Sequence, residues 1–252
     1  MVIREAAWQE YVDKLAKINS KAAKLMQIWI DKNGLDDPDA AVRYAYELAK
    51  RYGEAAAALA CEAYDAAAIA SGVYLPAALP AATATFAETA KAVYGTLNNR
   101  TNTVPATVSR LVKQAGADTT LQNARRDGAQ FAWIPHGETC AFCIMLASNG
   151  WQYMSSRALK NGHAEHIHAN CDCQYAVRFD DRSEVAGYNN GAAYKEFYYK
   201  TYNEDGEIVN RGGSVESKLN AMRREIYAAK KRDGLPRSLL NSTVAEEIDL
   251  SD

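Results

Sequence analysis

The sequence lacks both a strong excess of charge and a long apolar run. Its 252 residues include 29 basic and 31 acidic side chains, which give a formal net charge of -2. This near balance argues against a dedicated binder of polyanions, although it leaves room for a local basic face. No segment approaches the roughly 18 consecutive apolar residues of a membrane span, and residues 1–30 are too polar for a signal peptide. We therefore expect a soluble protein with no membrane partner.

Familiar catalytic motifs are missing as well. The sequence contains no phosphate-binding glycine loop, no Gly-x-Ser-x-Gly element and no long internal repeat. We therefore assign no catalytic residues, no cofactor-binding residues and no small-molecule substrate.

Cysteine and histidine are scarce outside one stretch. Four of the five cysteines and all four histidines lie between His136 and Cys173. Cys61 is the exception, and its alanine-rich surroundings predict a small buried residue on a helix. Unevenly spaced cysteines in a chain of this size fit thiolates on a metal in a reducing compartment better than a disulfide framework.

The first 130 residues are typical of a helical domain. Apolar side chains recur at helical spacing up to Gly34, which predicts one long amphipathic helix. Asp37, as the N-cap, and Pro38 begin a second long helix that continues to about Ala70.

Shorter helices are expected after a connector at 74–82, where Pro76 and Pro80 disfavour regular structure. Two or three of them are predicted, over 85–97, 105–114 and 118–130. The last two are divided at Gly116.

The pattern changes at Phe131, where short apolar segments begin to alternate with turns. Strands are predicted at 131–134, 151–154 and 173–179, and helices at 141–147, 192–202 and 215–232. The fold class is therefore mainly α, with a small α+β zinc-binding module. Three domains are expected: a helical domain at 1–130, the zinc-stabilised module at 131–182, and a helical extension at 183–252 whose acidic end, from Asn241, is mobile.

The cysteine and histidine cluster predicts a structural zinc site. It begins with a Cys-x2-Cys pair and ends, some 28 residues later, with His-x2-Cys-x-Cys, which exceeds the four ligands of a closed tetrahedral shell. The five candidate ligands are Cys140, Cys143, His168, Cys171 and Cys173. Either His168 or Cys171 is expected to complete the shell, and the choice between them stays open.

Two enzymatic alternatives remain for the same cluster. His163-Ala-Glu165 and the Cys pair supply the parts of a zinc deaminase site, although their order along the chain is reversed. A nuclease with His163 or His166 as general base is the other alternative. His136 is interpreted as a turn residue beside the cysteine pair. The basic pairs, such as Arg223-Arg224, favour solvated helix faces over a nucleic-acid site.

The residues of this cluster carry a resemblance to a known family. The segment from Ala124 to Phe179, with Cys-x2-Cys followed by His-x-Asn-Cys-x-Cys, resembles the MuF-like minor capsid, or head morphogenesis, proteins of tailed bacteriophages. The sequence departs from their pattern at Ala169, where proline is common, and at Asp172, where a basic residue is common. Neither position is a candidate ligand.

The resemblance implies a structural protein of the phage head. Such a protein is linked to the portal vertex and to genome packaging or ejection, and its partners are the portal or other capsid proteins, with contact to packaged DNA left open. It would occupy the host cytoplasm during assembly and the virion afterwards. The alternative is a zinc-dependent enzyme that acts on nucleic acid.

Overall fold

A computed structural model describes residues 5–99, 103–136, 140–154, 173–180, 185, 191–203 and 205–233. The protein is mainly helical with a few short strands, as expected from the sequence. The chain divides into two compact units. The first comprises Met1–Phe131, Tyr153–Asn170 and Val177–Ala186, and the second comprises Ala132–Gln152, Cys171–Ala176 and Gly187–Asp252.

Four helices form most of the described part of the first unit. They are α1 (Glu5–Asn33), α2 (Pro38–Ala70), α3 (Phe86–Asn99) and α4 (Val104–Asp127). The predicted start of α2 is confirmed, because Asp37 caps the helix by accepting a hydrogen bond from the Ala40 amide at 3.0 Å. α1 buries its apolar stripe, which includes Val12, Leu15 and Met26. None of the described helices combines the length and the apolar character that a membrane span requires.

The predicted break at Gly116 is wrong, because α4 is one continuous helix through this position. A Cβ atom on Gly116 would lie 3.4 Å from the carbonyl oxygen of Ala56 in α2. This glycine therefore serves close packing between α2 and α4 rather than helix termination. Gly53 of α2 has the same role, since a Cβ there would lie 2.9 Å from the Thr83 methyl group and 3.4 Å from Ala115.

The predicted connector is confirmed as irregular backbone between α2 and α3. Side chains of the neighbouring helices form hydrogen bonds with its backbone. Asp65 accepts from the Ala78 amide at 2.9 Å, Thr119 accepts from the Ala81 amide at 2.9 Å, and Arg126 donates to the Pro76 and Ala77 carbonyls. These side-chain hydrogen bonds satisfy backbone groups of the connector, which does not pair as a strand.

Cys61 lies on a helix, α2, as predicted, but it is half-buried rather than buried. Its alanine-rich neighbourhood supplies most of the α2 core, but its own position lies at the edge of the buried face. Partial burial and the nearby Asp65 carboxylate raise the pKa of the Cys61 thiol.

The later part of the chain contains short strands and short helices. β1 (Gln130–Ile134), β2 (Gln152–Tyr153) and β3 (Gln174–Arg178) form a sheet in the order β2-β1-β3. The helices are α5 (Ala141–Ser148), α6 (Gly191–Tyr199) and α7 (Val215–Asp233). The three predicted strands and the helix after Cys140 are confirmed.

The predicted helix at 192–202 ends early, since its last three residues form a strand. β4 (Lys200–Tyr202) pairs antiparallel with β5 (Ile208–Asn210), and Thr201 lies opposite Val209. The Asn203 side chain accepts hydrogen bonds from the Asp205 and Glu207 amides, which closes the turn of this hairpin. The two strands of this hairpin were not predicted from the sequence. The predicted acidic tail from Asn241 lies outside the described residues.

Candidate metal centre

Cys140 and Cys143 lie together at the start of α5. Their sulfur atoms are 3.6 Å apart, and the Cys143 amide donates to the Cys140 sulfur at 3.5 Å. Cys140 is the N-cap of the helix, so its sulfur lies among the first amides of α5. Backbone N–H groups at a helix N-terminus stabilise negative charge, which favours thiolates at this position.

This geometry fits a zinc ion. Two sulfur ligands at about 2.3 Å from a tetrahedral zinc lie about 3.8 Å from each other, close to the observed separation. Neither sulfur is in a disulfide. Cys143 is only 1% exposed, so a metal held by this pair would be shielded from bulk water on the Cys143 side.

The position of the pair is fixed by the packing of α5. Ala141 and Ile144 of this helix form a buried cluster with Tyr198 of α6 and Met222 of α7. Each cysteine directly precedes a residue of this cluster, so burial of the cluster fixes the position of the first turn of α5.

Cys173 directly precedes β3, and β3 is the neighbour of β1 in the sheet. Its sulfur is 3.9 Å from the carbonyl oxygen of His136, the second residue after β1. Cys173 is 2% exposed. Trp133 and Tyr175, one from each of these neighbouring strands, pack edge to face with ring centroids 4.6 Å apart. The sheet therefore brings Cys173 to the segment that leads into Cys140.

The complete ligand set is not assembled by the described residues. Among them, no group of three or more His, Cys, Asp or Glu side chains is arranged to hold one metal ion. His168 and Cys171 lie outside the described ranges, as do His163, Glu165 and His166 of the two enzymatic alternatives. The structure thus places the Cys140–Cys143 pair and Cys173, and the five-residue site stays a prediction.

An ion pair between a buried arginine and a partly exposed glutamate lies at the β4–β5 hairpin and was not anticipated from the sequence. Arg211, whose side chain is 3% exposed, donates to both carboxylate oxygens of Glu225 at 2.6 and 2.7 Å. It also donates to the Lys200 and Phe197 carbonyls. The residues are 14 positions apart and belong to no motif, so only the fold reveals the pair.

Comparison with known proteins shows the family to which the chain belongs. A family model described as VG15 protein matches residues 2–201. The chain belongs to the VG15 protein family. This membership indicates a phage protein. No curated protein and no solved structure matches the chain.

The VG15 match spans the whole candidate metal centre. It includes all five predicted ligands, from Cys140 to Cys173, and ends at Thr201 within β4. β5, Arg211 and α7 lie beyond the matched region. The matched region therefore includes the helical unit and the cysteine cluster but not α7.

Proposed function

We propose that this VG15 protein is a minor structural component of a tailed-phage head. It associates with the portal vertex, binds the portal or other capsid proteins, and takes part in genome packaging or ejection. Membership of the VG15 family, which indicates a phage protein, is the observation that carries the proposal. The resemblance of residues 124–179 to MuF-like head proteins supports the narrower assignment to the head.

The zinc site is proposed to be structural. Cys140, Cys143, Cys173 and either His168 or Cys171 would fill four tetrahedral positions and leave none for a reactive water. The 3.6 Å separation of the Cys140 and Cys143 sulfurs supports this part of the proposal. Zinc bound there would tie the start of α5 to the segment before β3, because metal binding contributes directly to folding free energy.

The alternative is a zinc-dependent nuclease or deaminase-like enzyme. It would need His163, Glu165 or His166 to move protons at the metal. His163→Ala and Glu165→Gln variants distinguish the two functions. The structural proposal expects normal head assembly from both, whereas the enzymatic alternative expects loss of a measurable nuclease or deaminase activity.

Particle composition tests the proposal. Purified phage particles should contain the protein in low copy number by quantitative mass spectrometry, and labelling should place it at one vertex. Absence of the protein from complete particles would refute a structural role. An even distribution over the whole shell would refute association with the portal.

A further inference from the structure

The β4–β5 hairpin is a two-stranded sheet with an open outer edge on β5. Among the described residues, no third strand joins this sheet. On the β4 side, the Lys200 carbonyl accepts a hydrogen bond from the Arg211 guanidinium at 3.0 Å. Within the described part of the chain, no side chain forms a hydrogen bond with the backbone of β5 in this way. We therefore examined which backbone groups of β5 a partner could reach.

The hydrogen bonds of the hairpin show how β5 is oriented. The Asn203 amide donates to the Glu207 carbonyl at 2.9 Å, and the Arg211 amide donates to the Tyr199 carbonyl at 2.6 Å. Hydrogen-bonded pairs alternate with non-hydrogen-bonded pairs along an antiparallel ladder. Val209, midway between Glu207 and Arg211, therefore directs its own N–H and C=O groups to β4.

The two neighbours of Val209 direct their backbone groups the other way. The N–H and C=O groups of Ile208 and Asn210 point away from β4, because these residues form the non-hydrogen-bonded pairs of the hairpin. Both residues are exposed, and their outward groups have no hydrogen-bond partner within the described part of the chain. The edge of β5 thus offers two donors and two acceptors at the spacing of an antiparallel ladder.

The side chains of β5 leave this edge accessible. Soluble proteins commonly block an exposed edge strand with lysine, proline or a bulge. β5 consists instead of the uncharged residues Ile208, Val209 and Asn210, and Ile208 is 42% exposed and Val209 37% exposed. Because successive side chains of a strand point to opposite faces of a sheet, apolar surface is exposed on both faces of β5.

We infer that β5 pairs antiparallel with β5 of a second copy of this chain, about a two-fold axis at Val209. In this register Ile208 of each copy lies opposite Asn210 of the other, and each such pair exchanges two backbone hydrogen bonds. The two Val209 residues face each other as a non-hydrogen-bonded pair. A four-stranded sheet results, and pairing about a two-fold axis ends at the dimer.

The residues that flank β5 favour a second copy over an unrelated strand. Across the same axis Glu207 lies opposite Arg211, so no like charges face each other. Gly206 lies opposite Gly212, and a Cβ atom added at either glycine would meet no atom within 4 Å. The segment from Gly206 to Gly212 is therefore complementary to itself in the antiparallel direction.

Sedimentation equilibrium of the full-length protein tests the inference. The dimer should be weak and concentration-dependent, since interfaces below about 1,200 Å² belong to transient complexes. The test variant is Val209→Lys, which places two like charges opposite each other across the axis. The matched control is Val215→Lys, at a 55% exposed valine at the start of α7 and outside the strand. Circular dichroism verifies that both variants remain folded.

The wild type and the control should dimerise with similar affinity, and the Val209→Lys variant should dimerise at least about fivefold more weakly. A wild type that stays monomeric would overturn the inference. So would equal dimerisation of the two lysine variants, because the contact would then lie elsewhere on the chain.

Disulfide cross-linking tests the register with a less disruptive change. Cα atoms of a non-hydrogen-bonded pair lie about 4.5 Å apart, within the range that a disulfide spans. With glutathione disulfide as oxidant, Val209→Cys should form a covalent dimer on a non-reducing gel. Val215→Cys and the wild type, which retains the native cysteines, should remain largely monomeric. Equal cross-linking of Val209→Cys and Val215→Cys would refute the two-fold axis at Val209. The inference does not depend on the proposed function.

Discussion

The Asn123 side chain pairs with the backbone of Leu79 as a neighbouring strand would. Its Oδ1 accepts from the Leu79 amide at 2.9 Å, and its Nδ2 donates to the Leu79 carbonyl at 2.8 Å and to the Thr119 carbonyl at 2.7 Å. Asn123 is 2% exposed. One buried amide thus joins α4 to the connector between α2 and α3.

Replacing Asn123 by Ala should destabilise the helical unit by about 1–3 kcal/mol, because two backbone groups of Leu79 lose their partners. Urea unfolding followed by circular dichroism measures the change. Gln122→Ala, at the exposed neighbouring position, is the control and should have little effect. Equal stability of the two variants would show that the connector is not held by Asn123.

Gly116 and Gly95 should respond differently to the same substitution. Gly116→Val should cost about 1–3 kcal/mol, because the added methyl groups would meet the Ala56 backbone. Gly95→Val, in α3, should be nearly neutral, since a Cβ there has no neighbour within 4 Å. The comparison requires only the unfolding midpoints of both variants. Equal costs at the two sites would contradict close packing of α2 against α4 at Gly116.

Acid stability should depend on Asp127. Its ion pair with Arg126 and a hydrogen bond from Tyr64 hold the pKa of the Asp127 carboxyl below its ordinary value of 3.8. The folded state therefore binds this proton less readily than the unfolded state, and the resulting stabilisation is present above about pH 4 and is lost as the pH falls below it.

Asp127→Asn removes that titration. At neutral pH the variant should be about 1–3 kcal/mol less stable, and its melting temperature should fall less than that of the wild type between about pH 5 and pH 3. Asp36→Asn, at an exposed carboxylate, serves as control. Parallel melting curves for the wild type and Asp127→Asn over this range would refute the role given to Asp127.

The β4–β5 hairpin should depend on Glu225. Glu225→Ala leaves the Arg211 guanidinium buried without its counter-charge, and the cost should be about 2–3 kcal/mol, reduced by the partial exposure of Glu225. Hydrogen exchange of the amides at 200–210 should quicken in this variant and not in Glu216→Ala. Replacing the pair with Arg211→Met and Glu225→Leu should recover part of the loss. Unchanged exchange in Glu225→Ala would show that the ion pair does not hold the hairpin.

The helices of the first unit could be predicted because their signals are local. Asp37-Pro38 defines the start of α2, and the apolar repeat defines the buried side of α1. Gly116 was misread because a glycine inside a helix has the same sequence signal whether it ends the helix or admits a neighbouring backbone. Only the position of Ala56 distinguishes these roles, and that contact is distant in sequence.

The candidate metal centre was predictable in part for the same reason. The Cys140–Cys143 spacing is a local signal, and the structure brings these sulfurs together. The approach of Cys173 depends on β3 lying beside β1, which the spacing of cysteines does not encode. Arg211 and Glu225 carry no motif at all, since their pairing follows from how the hairpin packs on α7.

The proposed structural zinc ion would be held in part by Cys140 and Cys143. Cys140→Ser with Cys143→Ser should abolish stoichiometric zinc and lower the melting temperature, because the metal contributes to folding free energy. Cys61→Ser, at the half-buried cysteine of α2, should retain the metal. Loss of zinc in both variants would place the metal elsewhere or make its binding non-specific.

Zinc analysis and X-ray absorption of the purified protein would measure how much metal is bound and which atoms coordinate it. We predict one zinc per chain with four protein ligands, at least three of them sulfur. A protein that folds with the same stability without zinc, or a shell of three protein ligands and one water, would contradict a structural zinc site.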